Sequence, residues 1–147
     1  MATATKPTFE TTLEVRDACL CLHVQRAARA LARRFDEALR PMGLTNGQFS
    51  LMMSLNRPEP PEMGPVASLL GMNRTTLTAA LKPLQRRGLV TVKAGRDRRS
   101  RVMMLTKKGQ KLLARAVPVW RKTHVAVEAL LPDANPDRFR ENLRAIG

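Results

Sequence analysis

Tyrosine is absent from this chain, and four phenylalanines and one tryptophan make up its whole aromatic complement. So thin a supply argues against a surface that stacks the splayed bases of single-stranded RNA, since such modules rely on exposed rings. Cysteine is almost missing as well. Cys19 and Cys21 are the only two, too few and too close for a disulfide framework, which fits a reducing, cytoplasmic setting. No apolar run approaches the roughly 18 residues of a membrane span, and the N-terminus lacks the basic segment and apolar core of a secretory leader. A glycine-rich phosphate loop, a metal-ligand set and a nucleophile with a matched base are also missing, so neither enzymatic chemistry nor a cofactor is expected.

Acid is what the middle of the chain lacks most. The 147 residues carry 26 Lys and Arg against 12 Asp and Glu, a formal net charge of +14. Between Arg74 and Lys122 stand fifteen of those bases and a single acid, Asp97, whereas the remainder holds eleven of each and sums to zero. Solubilising charge scattered at random would not partition this way. The pattern reads as one basic functional face on an electrically balanced scaffold, and a polyanion such as nucleic acid is the partner that such a face suits. The length points to a single domain.

Apolar periodicity divides the chain into elements. Leu20, Val24, Ala27, Leu31, Phe35 and Ala38 recur at steps of three and four within Leu13–Arg40, which predicts one long helix stopped by Pro41 and Gly43. Its 28 residues would reach about 42 Å, more than the roughly 38 Å diameter of a compact chain of this size, so a partner copy is expected to cover it. Thr45 and Gln48 make a capping box, with Leu44 and Phe49 as its hydrophobic staple, for a helix running to about Asn56. The proline-rich stretch from Arg57 to Glu62 cannot be helical. Gly64 as cap with Pro65 in first position predicts a short helix with Val66, Leu69 and Leu70 inward, ended by Gly71. Asn73 caps the next, Arg74–Arg87, whose inner side is Leu77, Ala80, Leu81 and Leu84. Its outer side is Thr75, Thr78, Ala79, Lys82 and Arg86, flanked by Thr76 and Gln85.

Two short helices about a tight turn, the second polar and basic outside, describe a helix-turn-helix. Leu89–Ala94 and Arg101–Leu105 alternate like paired strands, and the loop between them carries Arg96, Arg98 and Arg99, so the hairpin reads as a wing. Thr106 then caps a helix to about Leu131 with a bend at Pro118, and Asn135 with Pro136 starts a last one. The expected fold is mainly α with a small β-hairpin wing (α+β), a winged helix-turn-helix with long N- and C-terminal dimerisation helices. Residues 1–12 form an N-terminal arm, 13–43 and 106–147 the helical dimerisation region, and 44–105 the DNA-binding domain.

The order and spacing of these pieces resemble the MarR family of bacterial transcriptional regulators, which are winged-helix homodimers. The resemblance runs from Leu44-Thr45-x-x-Gln48-Phe49 through Val66-Ala67-x-Leu69-Leu70-Gly71 and Arg74-Thr75-Thr76-Leu77-Thr78 to Arg87-Gly88-Leu89-Val90. It continues with Asp97-x-Arg99-Ser100 and Leu105-Thr106-x-x-Gly109. It implies a dimeric, sequence-specific regulator on a pseudo-palindromic duplex operator, a repressor released by a small-molecule effector. Arg74, Thr75, Thr76, Thr78, Lys82 and Arg86 would enter the major groove, and the wing residues Arg96, Asp97, Arg98 and Arg99 an adjacent minor groove. Asp97 would hold the inserted Arg99, and a lone carboxylate among guanidinium groups suits that orienting role. The alternative is a nonspecific basic nucleic-acid-binding protein, architectural or RNA-binding.

Three further features admit two readings each. Cys19 and His23 share a helical face as half a metal site would, but His124 is the sole other Cys or His besides Cys21, and no metal is expected. Cys19 also stands where the hydroperoxide-sensing branch of the family has its reactive cysteine. That branch uses tyrosine donors which this chain lacks, and Cys19 and Cys21 fall about 200° apart on a continuous helix. Cys19 is therefore either a small apolar residue or a redox or effector site, and peroxide is not expected to be the main signal. Met42, Met52, Met53, Met103 and Met104 are core filler or the lining of an effector pocket.

Overall fold

The computed structural model describes residues 5–133 and 135–147. The chain divides into two compact units, Met1–Arg34 and Phe35–Gly147. In the first, the Thr8 hydroxyl accepts the Thr11 N–H at 3.3 Å and starts helix α1 (Phe9–Ala18). Helix therefore begins at Phe9, inside the segment expected to be an arm, while residues 1–4 of that segment lie outside the described residues. The single helix expected over Leu13–Arg40 is two. Cys19 is extended (φ −71°, ψ 108°) and separates α1 from α2 (Leu20–Leu39). Its own N–H closes α1 on Val15, and its carbonyl faces both the backbone N–H of His23 at 3.1 Å and the His23 Nδ1 at 2.8 Å. Cys19 thus ends one helix and begins the next. Phe9, Leu20 and Val24 remain exposed in this unit.

The second unit holds the core. After the last turn of α2, a 3₁₀ turn (Arg40–Met42) ends at Gly43, whose φ of 66° favours glycine. Both halves of the capping box between Thr45 and Gln48 form, at 3.1 and 3.2 Å, and start α3 (Asn46–Ser54). Asp36 ties the end of α2 to this start: its Oδ1 accepts the Asn46 N–H at 2.7 Å and the Asn46 side-chain amide at 2.8 Å.

Helix α4 (Met63–Leu70) begins earlier than Gly64 and Pro65 suggested, with Glu62 as its cap. The reason is non-local: Pro61 accepts the Met103 N–H at 3.1 Å and Glu62 bridges to Val102, which fixes the extended backbone one residue before the helix. Pro65 then occupies the third helical position, where its missing N–H still costs no internal bond. Leu69 is exposed, not inward, and Val66 and Ala67 are the buried residues of this helix. Gly71 ends it in the left-handed region, as expected.

Helix α5 (Arg74–Arg86) runs through Pro83 and is capped by Asn73, whose Oδ1 accepts the Thr76 N–H at 2.8 Å. Strands β1 (Val90–Ala94) and β2 (Arg101–Leu105) pair antiparallel, from Val90 opposite Leu105 to Ala94 opposite Arg101. Helix α6 (Lys107–Glu128) starts from the Thr106 cap and continues through Pro118, and α7 (Pro136–Ile146) from the Asn135 cap. Leu39, Leu51, Met52, Val66, Leu77, Leu81, Leu84, Leu89 and Met103 are fully buried, so the helix-turn-helix and the base of the hairpin share one core.

Helix α6 packs closely on Leu89, the residue before β1. A side-chain carbon on Gly109 would collide with the carbonyl of Leu89. Gly109→Ala is expected to destabilise the fold in urea titration, because overpacking of about 1–3 kcal/mol outweighs a helix-propensity gain of about 1 kcal/mol. Gly47→Ala, where nothing lies within 4 Å, is expected to stabilise by about 0.4–1 kcal/mol. A Gly109→Ala protein as stable as wild type would contradict this packing.

The bonds from Asn46 hold the Asp36 carboxyl below the usual carboxylate range. A folded-state pKa below the unfolded value stabilises fully at neutral pH and is lost as pH falls through the folded value. Asp36→Ala is therefore expected to be less stable than wild type at pH 7, with the gap closing in acid. A gap that widened as pH fell would show the wrong sign.

Candidate nucleic-acid interface

Burial on α5 divides as the periodicity requires. Leu77, Leu81 and Leu84 are buried, while Arg74, Thr75, Thr76, Thr78, Lys82 and Arg86 are all exposed. The Thr78 hydroxyl donates to the Arg74 carbonyl at 2.9 Å, which leaves its oxygen lone pairs and methyl group for an outside partner.

The wing tip is held by its own short bonds. Gly95 donates its N–H to Ser100 O at 2.9 Å, and Ser100 returns both its N–H and its hydroxyl to Asp97 O, at 3.0 and 2.9 Å. A side-chain carbon on Gly95 would overlap the Ser100 hydroxyl, so the close approach there requires glycine. Arg96, Asp97, Arg98 and Arg99 are exposed. Asp97 does not pair with a guanidinium. Its Oδ1 instead accepts the Arg99 backbone N–H at 3.4 Å, the local turn bond that aspartate makes two residues on. In the free chain the carboxylate thus shapes the loop that carries Arg99. Lys93 and Arg101 are also exposed, on opposite faces of the hairpin, so the positive surface continues from the tip along both. Lys93 escaped the sequence reading because it lies on a strand, away from the arginine-rich loop.

Among the described residues, the ion pairs join Arg16 to Asp17, Arg140 to Glu128 and Asp137, and His124 to Glu128. None touches α5 or the hairpin, so the charge there faces solvent uncompensated. Arg86 and Arg87 differ sharply. Arg86 is exposed, whereas Arg87 Nη1 donates to the Gly43 carbonyl at 2.6 Å and secures the turn before α3.

Elsewhere the candidate residues part. Cys19 is half-buried and Cys21 exposed, and both thiols are free. Gln25 Nε2 lies 3.0 Å from Cys21 Sγ. Because the backbone is extended at Cys19, the 200° separation of the two thiols on a continuous helix does not apply. The five methionines divide: Met52 and Met103 are core and Met42 is half-buried against it, Met53 and Met104 are exposed, and the cavity reaching Met103 and Met104 is only about 70 Å³. Trp120 is half-buried and stacks on Phe49 and His124, with ring centroids 6.1 and 4.8 Å away. No helix among the described residues is long and apolar enough to cross a membrane.

A family model described as the MarR family matches residues 44–100. An uncharacterized HTH-type transcriptional regulator of Bacillus subtilis, YwoH, is 31% identical over 88 residues, which is 60% of this chain. The match spans 64% of that relative's length. The M. tuberculosis transcriptional regulator MosR, solved in complex with DNA, is 42% identical with a TM-score of 0.77, over 85% of this chain and 92% of that one. The transcriptional repressor CouR bound to a 23-mer DNA duplex is 28% identical with a TM-score of 0.79, over 97% and 99%. CouR has also been solved bound to p-coumaroyl-CoA, where it is 28% identical with a TM-score of 0.78, over 90% and 94%.

The contrast between the adjacent arginines is testable by thermal or chemical denaturation. Arg87→Ala is expected to lose about 1–2 kcal/mol, the scale of a hydrogen bond to a charged donor, and Arg86→Ala to leave stability unchanged. Equal stability of the two variants would refute the structural role of Arg87.

Proposed function

The chain belongs to the MarR family, and on that premise we propose that it is a dimeric, sequence-specific regulator that binds duplex DNA as a repressor and is released by a small-molecule effector. One observation carries the reading: the exposed hydroxyl and cation face of α5 and the three-arginine wing lie in one compact unit, and among the described residues no ion pair reaches either. The major groove is wide enough to admit a helix. Arg74 and Lys82 can there meet guanine edges, and Thr78 a thymine methyl. A narrow A·T-rich minor groove concentrates negative potential, which suits Arg99 at the wing. A second copy covers the exposed apolar residues Phe139, Leu143 and Ile146 of α7 and Phe9, Leu20 and Val24 of the first unit. Twofold symmetry then sets a pseudo-palindromic operator with half-sites about one helical turn apart. The DNA complexes of MosR and CouR support this partner, and the p-coumaroyl-CoA complex of CouR supports a small-molecule effector. Regulation of this kind places the protein in the cytoplasm.

The break at Cys19 favours a second signal, a thiol switch. Because Cys19 itself is extended and stands outside α2, the fixed helical separation of its thiol from Cys21 is lifted, and their oxidation to a disulfide would reduce a hydroperoxide to its alcohol and water. Such a bridge would set the direction in which α2 leaves α1.

Anisotropy of a labelled duplex from the protein's own promoter region tests both readings. Arg99→Ala is expected to weaken binding about tenfold, 1.4 kcal/mol, and Arg121→Ala much less. Asp97→Ala is expected to weaken it too, although a negative charge is removed, because the loop carrying Arg99 loses its turn bond. Tighter binding by Asp97→Ala at fixed salt would refute that role, and a stable 16.4 kDa species in sedimentation would refute the dimer. If hydroperoxide lowers wild-type affinity and spares Cys19→Ser, the thiol signal stands. An identical response in both removes it.

A further inference from the structure

Arg87, Leu89, Lys108, Lys111, Leu112 and Arg115 line a cleft of about 490 Å³ between the end of α5, the start of β1 and the first turns of α6. That volume lies within the roughly 300–1,000 Å³ of small-molecule sites. Its lining is mainly apolar, Leu89, buried, Leu112, half-buried, and the aliphatic stems of four cations, and no carboxylate lines it. Such a cluster is electrostatically unfavourable when empty. Lys108 stands in the first turn of α6, at the positive end of the helix dipole, where a cation is repelled. From Lys107 to Val127 the sequence contains no acid. Lys108, Lys111 and Arg115 follow at steps of three and four and so share one helical face. Among the described residues no ion pair reaches any of the four.

Two of these cations hold backbone carbonyls. Lys108 Nζ donates to Arg87 O at 2.8 Å, and Arg87 donates to Gly43 O at 2.6 Å. The side chains of Lys111 and Arg115 make no hydrogen bond to the protein among the described residues. We propose that the cleft binds an organic phosphate, a monoester whose phosphate meets Lys111 and Arg115 and whose apolar or aromatic group rests on Leu89 and Leu112. Guanidinium and ammonium groups favour phosphate oxygens, and the leucine floor has no counterpart in a sugar–phosphate backbone, which favours a small ligand over DNA. Its use as an effector site rests on the DNA-binding reading above: the phosphate competes for Arg87 and Lys108, whose present bonds fix the end of α5.

The probe is 1-naphthyl phosphate, titrated by calorimetry into the full chain without DNA, beside inorganic phosphate and 1-naphthol. One saturable site per chain is expected, with each fragment about tenfold weaker or worse, and a Lys111→Ala/Arg115→Ala variant weakened about tenfold or more, the scale of a charge-assisted hydrogen bond. Alanine suits both exposed helical positions, and an unchanged melting temperature verifies the fold. No saturable binding at millimolar probe, or equal affinity in wild type and double variant, overturns the site. So does a double variant that loses duplex affinity but keeps the probe, since the cleft would then contact DNA. Saturating probe is expected to lower duplex affinity about tenfold. An unaltered duplex affinity overturns the effector role, and a wild-type chain that takes the probe but no duplex overturns the DNA-binding reading and the effector role with it, while the phosphate site stands.

Discussion

The threonine at the base of the wing is the joint on which the rest of the second unit depends. Thr106 donates its hydroxyl to Gly88 O at 2.6 Å, accepts the Gly109 N–H at 3.0 Å, and sends its own N–H to Leu89 O at 3.0 Å. One residue thereby closes the end of α5, the start of β1 and the start of α6 on each other. Gly88 can make that turn because its φ is 70°, and Gly109 can approach because it has no side chain. Loss of any of these three would change the angle at which α5 leaves the core, and with it the direction of every exposed side chain on that helix.

Local chemistry was readable in advance. The Thr45–Gln48 box, the Asn73, Thr106 and Asn135 caps and the glycine stops at Gly71 and Gly88 each rest on bonds spanning a few residues, so sequence spacing reveals them. What escaped the reading is set by distant partners or by a competing local bond. The start of α4 depends on Met103 and Val102, some forty residues away. Leu69 fits the apolar period of its helix and yet is exposed, since the buried face is centred on Val66, Ala67 and Leu70 and Leu69 lies across the helix from Ala67. The break at Cys19 carries no glycine or proline to announce it, only a histidine four residues on that shares the Cys19 carbonyl. Of the candidate site, the exposed face of α5 was legible from periodicity alone. The role of Asp97 was not, because charge pattern suggests an ion pair whereas the turn offers its carboxylate a nearer N–H.

Charge is distributed with the same economy. Where the second unit does form an ion-pair network, it lies at the far end of α6, with Arg140 of α7 bridging Glu128 and Asp137. Those pairs hold helix to helix. The basic stretch from Arg74 to Lys122 is given no acid to neutralise it beyond Asp97, which bonds its own loop. A surface left in that state stabilises nothing by itself, and its repulsion is relieved by bound anions and screened by salt.

The stack of Phe49, Trp120 and His124 has an optical consequence. With no tyrosine and a single tryptophan, the emission excited at the red edge of the chain's absorption comes from one indole, lodged between α3 and its own helix α6. The indole stacks on both the Phe49 ring of α3 and the His124 ring one turn further along α6, so a shift of α3 changes its surroundings directly. The protein therefore carries a built-in reporter whose colour follows the seating of α3 on α6, with no label attached.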